Sequence, residues 1–374
     1  MGFIAPFSHF FSDFFVSFFK PMAPYFMSVF GIDSSTFGSM LGIIVSSASL
    51  LQILFGFLFD RTRRDGLAIF LLLFSQLFIL CFLVFANNFV LLMVLIFISI
   101  LLNSAYHPVG AGIAGLSGKA RTVAVFSIFG TFGSALGPVF ITSYSSWFGF
   151  RNVIWFVLPM FLCLLLSSPK MIHFTKEVNE KQRTPTIEIF KLLLPCFTAV
   201  LLRSIVMDQF HTYVPIYFRE LGAPLFLGGL VMTIGILTGI GTNYFGSRLI
   251  QKIGIFRINC IGFFGMGISG LLFTFCPGEL TKVLLFALFD SFGFLTMSAN
   301  IVHAQQLVPN NRAFASSVTM GFAWSVGGYI GAALAAFFGN TVALFLYLLS
   351  GFSLIVALFY LLVVLRNNKK ARLI

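Results

Sequence analysis

Residues 89–115, "FVLLMVLIFISILLNSAYHPVGAGIAG", decide the medium in which this chain folds. The run from Phe89 to Leu102 holds one polar side chain, Ser99; then Asn103, Tyr106, His107 and Pro108 interrupt it, and Gly110, Gly112 and Gly115 loosen its end. A helix of this length reaches about 40 Å, more than the ~30 Å hydrocarbon core of a bilayer. A proline frees a backbone carbonyl and a histidine is costly in lipid, so both belong on a face that meets protein or cavity water. The segment therefore reads as a membrane helix with one wet face. Asn103, Tyr106 and His107 are candidates for substrate contact there.

The rest of the chain follows the same pattern. Of 374 residues, 59% are hydrophobic and 9% charged, with a mean hydropathy of +1.01, whereas a soluble domain carries about 25% charge. Twelve apolar segments fill the chain, from 6–30 and 36–59 to 312–337 and 342–365. The expected fold class is an all-α polytopic membrane protein of twelve transmembrane helices. One long polar stretch, "PKMIHFTKEVNEKQRTPTI" at 169–187, divides it into a six-helix bundle at 1–168 and another at 188–374 with a short basic tail. The first apolar segment lacks a basic flank and a small-residue cleavage site, which makes it a retained span rather than a signal peptide. Five cysteines lie in or beside apolar runs without metal-ligand spacing, as small core hydrophobes do. No metal site and no cofactor is expected. The 52 phenylalanines are expected to be lipid-facing bulk.

The net charge of +12 does not point to nucleic acid, because the basic residues sit in short loops between spans. With the N-terminus inside, eighteen of the 23 Lys and Arg residues fall on the cytoplasmic side. Only Arg151, Arg219 and Lys282 fall opposite, with Lys20 and Arg203 left inside spans. The positive-inside rule then puts both termini in the cytoplasm. The halves also repeat. A shift of 191 residues lays Pro24 on Pro215, Gly31 on Gly222, Gly38 on Gly229, Gly130 on Gly321, Ser134 on Ser325 and Gly137 on Gly328. Two pseudo-symmetric six-helix halves are the plan of secondary transporters of the major facilitator type, with substrate near the midplane.

Motifs support that plan. "GFLFDRTRR" supplies Gly56, Asp60, Arg61, Arg63 and Arg64 in the facilitator loop pattern after span 2. Span 5 carries "FGTFGSALGP", in which Gly130, Gly133, Ser134, Gly137 and Pro138 recur at helical spacing, so that a second helix can approach closely. Gly133, Gly137 and Pro138 match part of the antiporter signature of drug exporters. Ionisable residues inside the membrane are costly and mark function. Span 1 has His9, Asp13 and Lys20 on one expected helix face; span 7 has Arg203, Asp208 and His211, the last two as i, i+3 neighbours; span 10 has Asp290. Asp–His pairs suit proton handling. This makes Asp13, His9, Asp208, His211 and Asp290 the proton-coupling candidates. Lys20, Arg203, Tyr213 and Gln52 join Asn103, Tyr106 and His107 as substrate-binding candidates.

Several segments together, "SHFFSDFF", "SSASLLQILFGFLFDR", "AYHPVGAGIAG", "FGTFGSALGP" and "HAQQLVPNNRAFASSVTMGFAWSVGG", resemble the fosmidomycin-resistance-type branch of the major facilitator superfamily. The resemblance covers both halves. It implies a proton-coupled antiporter of the bacterial inner membrane that exports a small organic compound or drug. It also draws attention to His9, Asp13, Gln52, His107, Pro108 and Gln305. The expected partners are a small-molecule substrate, protons and the lipid bilayer, with a functional monomer and no nucleic acid. An importer of an anionic nutrient or metal-chelating metabolite shares the same fold, and Lys20 and Arg203 motivate it. A non-transporting receptor would need a binding module that the short loops do not offer. No H-E-x-x-H, C-x-x-C or phosphate-binding loop points to an enzyme.

Overall fold

The computed structural model describes residues 4–60, 62–116, 120–174, 187–309 and 312–371, and among them it is helical without strands. The helices are α1 (Ile4–Val16), α2 (Ala23–Phe30), α3 (Ser34–Asp60), α4 (Asp65–Leu83), α5 (Phe89–Gly115), α6 (Ala120–Phe148) and α7 (Val153–Ile172). They continue as α8 (Ile187–Glu220), α9 (Leu225–Ile253), α10 (Ile255–Phe275), α11 (Glu279–Leu307), α12 (Arg312–Ser316), α13 (Ala323–Phe338) and α14 (Val342–Ala371). A π-helical stretch, Ser317–Phe322, joins α12 to α13 within one span. Eleven described segments are long and apolar enough to cross a membrane. The twelfth span is α1 and α2 taken together, interrupted by turns at residues 17–22. Most of the linker, residues 175–186, and Arg61 lie outside the described residues.

The interruption has a covalent cause. Pro21 has no amide hydrogen and its ring crowds the carbonyl one turn earlier, which favours a break at this point, and turns occupy residues 17–22. Lys20 therefore sits in the turns beyond α1 and not on the α1 face with His9 and Asp13, as the periodicity had suggested. At the end of α2, Gly31 caps in the left-handed region with φ of 64°. Its shift-related partner Gly222 has φ of 81° just past α8. The repeat thus extends to backbone conformation at equivalent turns, where glycine is the residue that avoids a Cβ clash.

The helices pack as two compact units. One comprises Met1–Ile32, Ile43–Gln182 and Phe218–Thr233; the other comprises Asp33–Gly42, Arg183–Tyr217 and Ile234–Ile374. The first is called the N-terminal unit and the second the C-terminal unit below. Phenylalanine fills their interiors: Phe15, Phe19, Phe26, Phe210, Phe263, Phe273, Phe286 and Phe289 are all fully buried. For these residues the expectation of lipid-facing bulk is corrected, whereas Phe7, Phe85, Phe264, Phe275 and Phe337 are exposed. Large rings meet glycines on neighbouring helices, as where a Cβ on Gly265 would lie 2.2 Å from the Phe292 ring. Cys196 is buried and Cys163 is exposed, and all five cysteines are free thiols.

In the N-terminal unit, α6 carries Pro138 in its interior, and a side chain from α9 serves the backbone beside it. Thr233 Oγ1 donates to the Ala135 carbonyl at 2.6 Å and accepts the Val139 amide at 3.1 Å. A hydroxyl thus stands inside the i, i+4 ladder, which is how a broken membrane helix has its backbone satisfied.

In the C-terminal unit, Asp33 starts α3. Its Oδ1 accepts the Thr36 amide at 2.9 Å and its Oδ2 accepts the Thr36 hydroxyl at 2.7 Å. These two donors hold the exposed carboxylate down at about 2. Because the folded value is depressed, the stabilisation is fully present above the unfolded-chain range near pH ~4 and is lost as pH falls through about 2. Asp33→Ala is expected to lower stability by about 1 kcal/mol at neutral pH. Thermal unfolding of the purified protein should show that gap closing as the buffer is taken down to the folded value; equal midpoints at neutral pH would remove the cap from the account.

Candidate functional site

Two polar clusters stand in the apolar interior, one in each unit. In the N-terminal unit, α1 turns Ser8, His9, Ser12 and Asp13 to one side by its three- and four-residue spacing. From α5 come Asn103, Tyr106 and His107, from α4 Gln76, and from α6 the Phe126 carbonyl. Asn103 Nδ2 donates to Asp13 Oδ1 and to Ser12 Oγ, each at 2.9 Å. Ser12 Oγ donates to Gln76 Oε1 at 3.2 Å, and Gln76 Nε2 returns a bond to the Ser12 carbonyl at 3.0 Å. The Ser8 and Tyr106 hydroxyls are 2.6 Å apart. Serine and glutamine thus hold the frame of the cluster; Ser8 and Ser12 lie within "SHFFSDFF", whereas no charge or motif singles out Gln76.

His9 is tightly oriented. Its Nδ1 lies 2.8 Å from the Phe126 carbonyl oxygen; since a carbonyl only accepts, Nδ1 carries the hydrogen. The imidazole stacks on the Phe126 ring at 4.0 Å. Gly130 makes room for it, because a Cβ there would lie 2.2 Å from His9 Cε1. The other nitrogen, Nε2, lies 3.3 Å from Asp13 Oδ2 and is buried without a hydrogen-bond partner. His107 Nε2 approaches Asp13 Oδ1 at 3.4 Å. The His107 side chain is 29% exposed and that of Asp13 14%, so the cluster opens on the His107 side. The sequence, whose cysteines lack metal-ligand spacing, points to no metal site; His9 and Asp13 share α1 while His107 comes from α5. In space, one ligand atom from each of His9, Asp13 and His107 falls within 4.8 Å of the others.

In the C-terminal unit, His211 of α8 meets Asp290 of α11, with Nε2 2.7 Å from Oδ1. Asp290 is fully buried, and its Oδ2 has no hydrogen-bond partner. Gly235 leaves space for that oxygen, since a Cβ there would lie 2.4 Å from it. His211 is therefore tied across helices, in addition to its i, i+3 relation with Asp208. Asp208 Oδ2 accepts from the Gln209 amide at 3.3 Å. Arg203 donates through Nε to the Gly293 carbonyl at 2.7 Å. Its guanidinium lies 5.8 Å from the ring centroids of both Phe294 and Trp324.

Other expected residues lie apart from these clusters. Tyr213 is fully buried and donates its hydroxyl to the Ser34 carbonyl at 2.9 Å. Gln52 is half-buried on α3, and Arg63 and Arg64 are exposed between α3 and α4. Gly56 faces Pro108, whose Cβ would be 4.0 Å from an added methyl. The Asp60 side chain lies outside the described residues. Asp65, fully buried in the first turn of α4, was missed by the motif reading, although an acid suits that helix end. Gly133 and Gly137 bring α6 against α1: a Cβ would lie 2.1 Å from the Phe10 carbonyl oxygen and 1.8 Å from Ser17 Oγ, respectively.

A sequence model of the Major Facilitator Superfamily matches residues 7–332. The fosmidomycin resistance protein of Escherichia coli (strain K12) is 25% identical over 250 residues, or 62% of this chain and 60% of that protein. The match thus spans less than two thirds of that relative's length. Among solved structures, the peptide transporter POT in complex with sulfate is similar with a TM-score of 0.76 at 17% identity, covering 98% of this chain and 94% of the other. A variant of the nucleoside transporter NupG gives 0.76 at 15% identity, covering 96% and 98%. A bacterial homolog of the human lysosomal transporter Spinster, inward-facing and unoccupied, gives 0.74 at 11%, covering 96% and 94%. At such identities the likeness concerns the fold.

Proposed function

Because the chain belongs to the Major Facilitator Superfamily, we propose that it is a secondary transporter exporting a small organic compound in exchange for protons. The observation that carries proton coupling is the Asp290–His211 pair. A carboxylate with no exposed surface binds an imidazole through one oxygen and leaves the other unpartnered. An ionisable group inside the membrane is costly and marks a proton or ion pathway, and this one is held by His211 across helices and by the charge of Arg203. Asp13, by contrast, has Asn103 bonded to one oxygen and His9 beside the other. The coupling step is therefore assigned to Asp290 and His211. Export is supported by the resistance protein among the chain's relatives.

On this reading the two six-helix bundles, 1–168 and 188–374, alternate access to a shared substrate, joined by the cytoplasmic linker 169–187. Both termini face the cytoplasm of an inner membrane, and one chain suffices. The test is flux in everted membrane vesicles energised to acidify the lumen, with fosmidomycin as the first probe and a wider compound panel after it. Export by antiport predicts substrate-driven alkalinisation of the lumen that is absent from vesicles lacking the protein. An active preparation that accumulates compound without moving protons would overturn the coupling.

A further inference from the structure

We propose that His9, Asp13 and His107 bind one divalent transition-metal ion of the zinc class, the histidines through Nε2 and Asp13 through its carboxylate. The inference concerns the N-terminal unit and stands independently of proton coupling at Asp290. It starts from the orientation of His9. With its Nδ1 hydrogen committed to the Phe126 carbonyl, neutral His9 presents the Nε2 lone pair to Asp13 Oδ2 at 3.3 Å. Two acceptors at that separation repel each other unless a cation stands between them. A proton on Nε2 makes the contact an ion pair, and a metal ion would take that proton's place, since buried Nε2 meets no acceptor in good hydrogen-bond geometry.

The dimensions fit a metal ion. Bonds of about 2.1 Å to nitrogen and oxygen place neighbouring ligands roughly 3.4 Å apart in a tetrahedral shell. His9 Nε2 lies 3.3 Å from Asp13 Oδ2 and His107 Nε2 lies 3.4 Å from Asp13 Oδ1; with one atom from each residue the three ligands fall within 4.8 Å of one another, so the side chains must draw in slightly around the ion. Second-shell support is also in place. A ligating imidazole characteristically donates its other N–H to a carbonyl, as His9 does to Phe126. A ligating carboxylate is held by a further hydrogen bond, as Asn103 Nδ2 holds Asp13 Oδ1 at 2.9 Å. Two imidazoles and one carboxylate favour Zn²⁺, Co²⁺ or Ni²⁺ over Mg²⁺ and Ca²⁺, which take oxygen shells. The partial exposure of His107 and Asp13 supplies an entry path. One carboxylate does not neutralise a dication in an apolar interior, so the open position takes hydroxide or an anionic oxygen donor in place of neutral water.

The test is Co²⁺ titration of the purified full-length protein in detergent, followed by its visible ligand-field bands, with Zn²⁺ as the competing ion. One Co²⁺ per chain is expected, displaced by one Zn²⁺ and not by excess Mg²⁺. His107→Gln alters the most exposed ligand and should weaken binding at least about 100-fold, and Asn103→Ala, acting through Asp13, about tenfold. Thermal unfolding without metal checks that each variant is folded; if His107→Gln is not, the Asn103→Ala shift decides. Asp290→Asn should bind Co²⁺ as the parent does, which separates this inference from the transport reading. Absence of stoichiometric binding in the parent protein would overturn the site. So would binding of equal affinity in the folded His107→Gln variant, or in Asn103→Ala where that variant decides.

Discussion

Asp290→Asn is expected to fold and to reach the membrane, yet to lose proton-driven transport by roughly two orders of magnitude or more. Asparagine has the shape of aspartate and keeps a polar atom opposite His211 Nε2, now 2.7 Å from Oδ1. It cannot take up or release a proton in any accessible range, and positioned proton transfer is typically worth about 10²–10⁴ in rate where it is required. The fold should survive, because the change removes a buried charge and leaves a hydrogen-bonding group in its place. Reconstituted vesicles separate the two consequences. Accumulation driven by a pH gradient should fall to the level of empty vesicles, while exchange of labelled for unlabelled compound, which needs no net proton movement, should persist. Gradient-driven accumulation at the parental rate in Asp290→Asn would end the assignment of coupling to this pair.

How far the sequence discloses this arrangement depends on the kind of residue asked about. Spans are legible because hydrocarbon imposes a minimum apolar length, and the glycine repeat is legible because Gly31 and Gly222 both occupy turns that a Cβ would strain. The break in the first span was also written in Pro21 and Pro24, but hydropathy alone runs straight across them. Neighbours within one helix, such as His9 and Asp13, follow from spacing. Partners on different helices do not: His211 with Asp290, and Asp13 with His107, become apparent only when the packing is known. The phenylalanines show the deeper reason. In water an apolar side chain signals burial, whereas lipid tails are as apolar as a protein core, so Phe15 inside and Phe264 outside look alike in sequence. The repeat is uneven in the same way. The 191-residue shift pairs glycine with glycine, but it sets Asp13 on Ser204 and Asp290 on Ser99. The halves share packing geometry and divide the charged chemistry between them.

A large structural effect is expected at Gly133. Substitution to valine should abolish most of the folded protein, and substitution to alanine should lower its thermal midpoint by several degrees. A Cβ at this position would lie 2.1 Å from the Phe10 carbonyl oxygen and 3.0 Å from the carbonyl carbon. The obstacle is backbone, so no rotamer change relieves it and α1 itself must move away from α6. Overpacking of this kind typically costs about 1–3 kcal/mol for small intrusions, and more where helices must separate. Gly112→Ala is the control: that position is exposed and nothing lies within 4 Å of an added methyl, so its effect should stay within about 1 kcal/mol. Fluorescence-detected size exclusion after heating compares the three proteins directly, and equal retention of Gly133→Ala and Gly112→Ala would sink the close-packing account. The consequence extends to the polar cluster. Helix α1 carries His9 and Asp13, and α6 carries the Phe126 carbonyl that fixes the His9 tautomer, so any separation of the two helices lengthens the 2.8 Å contact between them. A Gly133→Ala protein that still folds should therefore bind Co²⁺ more weakly than Gly112→Ala does, although residue 133 touches none of the three proposed ligands.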